Sequence, residues 1–291
     1  MDKKNIFLAL LYIWLGHFLV DFMIGIWPVY KTMMGLDLAK VGIMTAVAVV
    51  IGEGMQLVFG SLSDSGYRKH VLIGGIVLTC CGAFYSYFID YQVLFILLLT
   101  VCLGSGAFHP AAASIAAMLS SNRKGLFMTI FASGGSLGMA ASQIVFSNSY
   151  EYLEGNTLFL MIPAALLAMV LVVTHIAGTN SANKQSKRIT FPMLKKFFSN
   201  RDLLNLYFLQ VANQTVIWAF VFLLPDVLSS RQYDHWISFG GGHLFLILGS
   251  ALMMVPAVSF FPPSTPVHLG IVAAVVTLGV VCSGVAYLLY F

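Results

Sequence analysis

The sequence predicts an all-α polytopic membrane protein, and three observations predict it. Hydrophobic residues make up 59% of the 291-residue chain and charged residues 9%, a balance that a water-soluble fold of this size cannot present to solvent. The apolar residues form long continuous runs instead of the alternating pattern of barrel strands, so helices are the spanning elements. The basic residues segregate between the runs in a way that a multi-span topology explains. At roughly 20 residues per crossing of a ~30 Å hydrocarbon layer, the chain has room for about nine helices.

Taken in order, turn signals and charges place the spans at 6–30, 40–62, 70–89, 92–119, 124–147, 157–178, 203–227, 239–261 and 267–290. The first run is too long for a signal peptide and lacks a small-residue cleavage pattern, so it is expected to be a retained helix. With simple alternation, all but three of the fifteen Lys and Arg residues fall on one side, the exceptions being Lys31, Lys40 and Arg231. Basic residues resist translocation, which makes that side, and the N-terminus with it, cytoplasmic in a bacterial inner membrane. Cys80, Cys81, Cys102 and Cys282 all lie inside apolar runs, where thiols act as small hydrophobes and do not suggest disulfides or a zinc framework. Trp14, Trp27 and Trp236 lie near span ends and are expected to be interfacial anchors.

The stretch 179–201 is polar and basic and separates six spans from three. It divides the chain into a six-helix bundle (1–178), a cytoplasmic linker (179–201) and a partial second bundle (202–291). Many transporters pair two six-helix halves across such a loop. The loop after the second span reads Gly60-Ser61-Leu62-Ser63-Asp64-Ser65-Gly66-Tyr67-Arg68-Lys69. Gly60 suits close helix approach, Asp64 an arginine or a helix N-terminus, and Gly66 a tight turn, with Arg68 and Lys69 at the cytoplasmic headgroups.

Ionisable groups at membrane depth are costly, by about 2.5–3.5 kcal/mol on insertion scales, and point to function. Asp21, Glu53 and His109 lie near the middle of their spans, and His17 stands four residues before Asp21, on the same helical face. A carboxylate beside an imidazole can pass a proton, which makes Asp21, Glu53, His17 and His109 candidate proton-coupling residues. The alternative is structural hydrogen bonding between helices. The seventh span carries Gln210, Asn213, Gln214 and Trp218, suited to a polar, hydrogen-bonding solute or to interhelical contacts. Gly134, Gly135 and Gly138 are expected to permit close packing without touching substrate.

The loop Gly60 to Lys69 resembles the signature of the major facilitator superfamily. His17 and Asp21, together with Gly106-Ala107-Phe108-His109-Pro110, Arg123-Lys124-Gly125 and Gly134-Gly135-Ser136-Leu137-Gly138, look like the fosmidomycin-resistance family of efflux proteins over roughly the first 150 residues. The resemblance implies two six-helix halves, a central cavity lined by the first, fourth and seventh helices, and alternating access. Exporters of that family often end the glycine series of the fifth helix with Gly-Pro, where this chain has Ala140-Ala141-Ser142-Gln143. Against the family's twelve helices, the chain is expected to be truncated at its C-terminal end.

The expected function is secondary transport of a small polar solute or drug, as proton-coupled efflux. The alternatives are an uptake permease of the same fold and a non-transporting fragment. The expected partners are a small-molecule substrate, protons and membrane lipid, with no nucleic acid, cofactor or metal; the oligomeric state is not legible. No nucleotide-binding loop supports ATP-driven transport. An enzyme is not expected: Gly104-Ser105-Gly106 with His109 offers a serine and a histidine, but no orienting third group.

Overall fold

The computed structural model describes residues 3–119, 124–174, 176, 195 and 198–248. Contacts divide the chain into two compact units, Met1–Ser186 and Lys187–Phe291. Most of the expected linker 179–201, the later part of the eighth span and all of the ninth lie outside the described residues.

The first unit begins with α1 (Lys3–Met33), which packs most extensively on the fifth span, α6 (Lys124–Tyr152). The second span is α2 (Leu38–Gly54) continued by α3 (Gln56–Leu62), and the third is α4 (Arg68–Thr79) continued by a tighter helical turn over Cys80–Tyr87. Between them Gly66 adopts φ 106°, a left-handed conformation that costs glycine little and an L side chain more, and this reverses the chain as expected. Asp37 and Asp90 cap the helices that follow them, accepting from Lys40 N and from Gln92 N and Val93 N. The fourth span is α5 (Tyr91–Met118), and the sixth is a short turn (Leu158–Met161) leading into α7 (Ile162–Val173).

Each end of this unit is laced together. At one end, Lys69 Nζ donates to Val172 O (2.8 Å) and Thr174 O (3.0 Å), carbonyls at the close of α7. At the other, Tyr30 Oη donates to Phe88 O (2.6 Å), Tyr87 Oη to Asn156 Oδ1 (2.6 Å), and Thr157 Oγ1 to Ala83 O (2.9 Å). The 2–3 loop and the end of the sixth span thus share one end, and the 3–4 and 5–6 loops share the other.

Backbones approach closely at several glycines. A Cβ on Gly75 would lie 2.8 Å from Gly104 O, and one on Gly134 would lie 2.6 Å from Trp14 O. Gly60 does not belong to this set, because a Cβ there would stand at an ordinary 3.6 Å from Pro110. The expected close approach falls instead about two turns deeper, where Gly52 meets Cys102 and Gly106.

In the second unit, α8 (Arg201–Ser230) is capped by Asn200. A turn over Ile237–Gly241 follows and leads into the start of the eighth span. Leu224, Leu228 and Leu246 form its small described core.

Candidate functional site

A polar cluster in the first unit joins two helices that are distant in sequence. His17 Nε2 lies 3.3 Å from Asp21 Oδ2, His109 Nε2 lies 3.3 Å from Asp21 Oδ1, and the two Nε2 atoms are 3.2 Å apart. His17 and Asp21 share a face of α1 because four residues make about one turn. His109 reaches them from α5, 92 positions beyond His17. The third wall is α6: Gly135 sits against the pair, and a Cβ there would collide with both Asp21 Oδ2 and His17 Nε2. Gly135 therefore makes room for the cluster as well as for helix packing.

Both rings are oriented by backbone carbonyls. His17 Nδ1 is 2.8 Å from Phe131 O, and His109 Nδ1 is 2.9 Å from Ser105 O. A carbonyl only accepts, so each Nδ1 carries hydrogen and each neutral ring turns an unprotonated Nε2 inward. Phe131 also stacks on His17, with ring centroids 4.2 Å apart. The cluster is largely shielded, with side-chain exposures of 10% for His17, 16% for Asp21 and 27% for His109. His109 therefore forms the accessible edge. Ser105 Oγ also lies 3.1 Å from His109 Nδ1, but that nitrogen already donates to Ser105 O and so offers no lone pair to take the serine proton.

Other expected site residues lie elsewhere. Glu53 is exposed on α2, where its carboxylate accepts from Gln56 Nε2; it lies within electrostatic reach of His109 and Asp21 without an ion pair or hydrogen bond to them among the described residues. On α8, Gln214 is exposed and Trp218 is 39% exposed; the side chains of Gln210 and Asn213 lie outside the described residues. In the 2–3 loop, Asp64 Oδ1 accepts from Arg68 Nη2 at 3.0 Å. Arg68 is 4% exposed and its Nε donates to Ser63 Oγ, so it is turned inward instead of standing at the headgroups. Asp64 and Ser63 supply acceptors that make this burial tolerable. Trp27 is likewise no interfacial anchor: it is 2% exposed, donates to Thr45 Oγ1 at 2.8 Å and packs on Tyr85. Trp14 turns its indole N–H to Ser133 Oγ on α6. Trp236 is exposed.

The sequence did not single out the carbonyls of Phe131 and Ser105 as site groups. The only signal was the helical spacing of Ser105 to His109, because backbone acceptors carry no residue signature.

The Major Facilitator Superfamily model matches residues 10–291. The chain belongs to this family. Its fold is therefore the all-α, multi-pass major facilitator fold of membrane transporters. Among solved structures it is similar to a bacterial homolog of the human lysosomal transporter Spinster, at TM-score 0.70 and 13% identity, covering 98% of this chain and 75% of that one. Among curated proteins it is 26% identical over 180 residues to the fosmidomycin resistance protein of Escherichia coli (strain K12), covering 60% of this chain and 44% of that protein. It is also 25% identical over 122 residues to the uncharacterized MFS-type transporter YfnC of Bacillus subtilis (strain 168), covering 42% and 30%. These matches span less than half the length of either curated relative.

Proposed function

We propose that this major facilitator protein is a secondary transporter that exports a small polar solute from a bacterial cell in exchange for protons, with the His17, Asp21 and His109 cluster as the proton site. The cluster's hydrogen bonding carries this reading. With each Nδ1 already donating to a carbonyl, two Nε2 lone pairs and a carboxylate face one another at 3.2–3.3 Å. Three acceptors that close repel, and a single shared proton converts the repulsion into hydrogen bonds. The cluster thus has a reason to hold a proton, and losing it loosens the contact between α1 and α5. Each proton entering across about 100 mV supplies about 2.3 kcal/mol. Export is supported by the likeness to the fosmidomycin resistance protein. The amide and aromatic side chains of α8 are assigned to solute recognition, on the sequence reading that they line a cavity.

The inner membrane is the proposed site, with the N-terminus and the 2–3 loop on the cytoplasmic side, following the basic residues. The test is to reconstitute the chain in vesicles with an internal pH dye and screen small polar solutes. A solute that drives proton movement only when the chain is present is the expected result. Solute flux that ignores a proton gradient in both directions would remove the coupling.

A further inference from the structure

We infer that the same three side chains form a binding site for one divalent transition-metal ion of the zinc type, held by His17 Nε2, His109 Nε2 and one oxygen of Asp21, with a fourth position open. No metal was expected from the sequence, because His17 and Asp21 on α1 make only two donors and the third, His109 on α5, stands 92 positions beyond His17. In space the three donors lie within 4.8 Å of one another.

Three observations support the site. The first is its dimensions. Metal–nitrogen bonds of about 2.0–2.1 Å give a tetrahedron with edges of roughly 3.3 Å. The observed edges are 3.2 Å between the nitrogens and 3.3 Å from each nitrogen to the carboxylate. His17 faces Oδ2 and His109 faces Oδ1, so a modest rotation of the carboxylate lets one oxygen complete a triangular face.

The second is orientation. Metal-binding histidines characteristically give their other ring N–H to a carbonyl or carboxylate, which fixes the tautomer and aims the lone pair. Both histidines do so here, to Phe131 O and Ser105 O. A histidine acting only as a hydrogen-bonding spacer has no need for both rings to be locked with Nε2 inward.

The third is access. His109 keeps 27% of its side chain exposed while His17 and Asp21 are more covered. The ligand set is therefore shielded on three sides, with Gly135 adding no side chain to fill it. Two imidazoles and one carboxylate suit zinc, cobalt or copper, whereas magnesium and calcium favour all-oxygen shells.

The test uses the full chain purified in detergent and titrated with zinc by calorimetry and with cobalt by visible absorption. One ion per chain is expected, with intense absorption bands of tetrahedral cobalt that zinc abolishes and magnesium does not. His17→Gln and His109→Gln should each weaken zinc by more than about 100-fold, beyond the 10–100-fold typical of losing an outer partner, with helical content unchanged. X-ray absorption at the zinc edge of the wild-type chain needs no variant and should show two imidazoles. The absence of stoichiometric zinc binding, affinity unchanged in both variants, or a shell of sulfur or oxygen alone would each overturn the inference. The two readings fail separately: Asp21→Asn that still couples protons removes the proton site, whereas loss of zinc binding leaves it untouched.

Discussion

The polar groups of α1 and those of α8 look alike in sequence and differ in structure. His17 and Asp21 sit in an apolar helix four residues apart; Gln210, Asn213, Gln214 and Trp218 sit in another at comparable spacing. In the first case a neighbouring helix supplies a histidine, another supplies a carbonyl, and a glycine clears the space. In the second, Gln214 and Trp218 are exposed, with no hydrogen bond to either among the described residues. A polar residue in a span becomes a built site only when packed neighbours contribute converging partners. Without them it remains a surface for a solute or another helix to meet.

The largest expected effect falls on the carboxylate. Asp21→Asn keeps the shape but cannot share a proton as a base, so proton-coupled flux in reconstituted vesicles should fall to the level of protein-free vesicles while insertion and helical content persist. Flux at the wild-type rate would make the cluster structural and erase its difference from α8.

Gly135→Ala should come next, because its Cβ collides with both Asp21 and His17. Overpacking of this kind typically costs about 1–3 kcal/mol, and a lower detergent melting temperature together with lost coupling is expected. Gly74→Ala is the matched control, since a Cβ there meets nothing within 4 Å; it should not lower stability, as alanine is the better helix former. Equal melting points for the two variants would show that the α1 and α6 seam relaxes freely.

Arg68→Met should destabilise the first unit by about 1 kcal/mol, a small figure because its partner Asp64 is 53% exposed and solvent screens the pair. Thermal unfolding in detergent measures it. A loss of several kcal/mol would mean that Arg68 holds more than Asp64 and Ser63.

Gln214→Leu should have the smallest effect on the fold, leaving the melting temperature within error. If α8 meets solute, the variant should weaken solute affinity by about 1 kcal/mol, the usual worth of one hydrogen bond. A drop in stability with unchanged affinity would reverse the assignment and make Gln214 a packing residue.

The spans of the first unit were legible because lipid demands long apolar runs and loops demand turn residues and charges, both of which are local properties. The turn at Gly66, the helical pairing of His17 with Asp21 and the small-residue character of Gly134 to Gly138 were likewise carried by spacing alone. Tertiary structure decided what each polar group meets. His109 converges on Asp21 while Glu53 does not, although both lie at mid-span, because a single sequence records depth along a helix but not which neighbour covers a given face. The same reason turned Arg68 inward and buried Trp27 among aromatics. It also made Gly135 a wall of the cluster, since the contact depends on how α1 and α6 pack and not on any residue pattern within either helix.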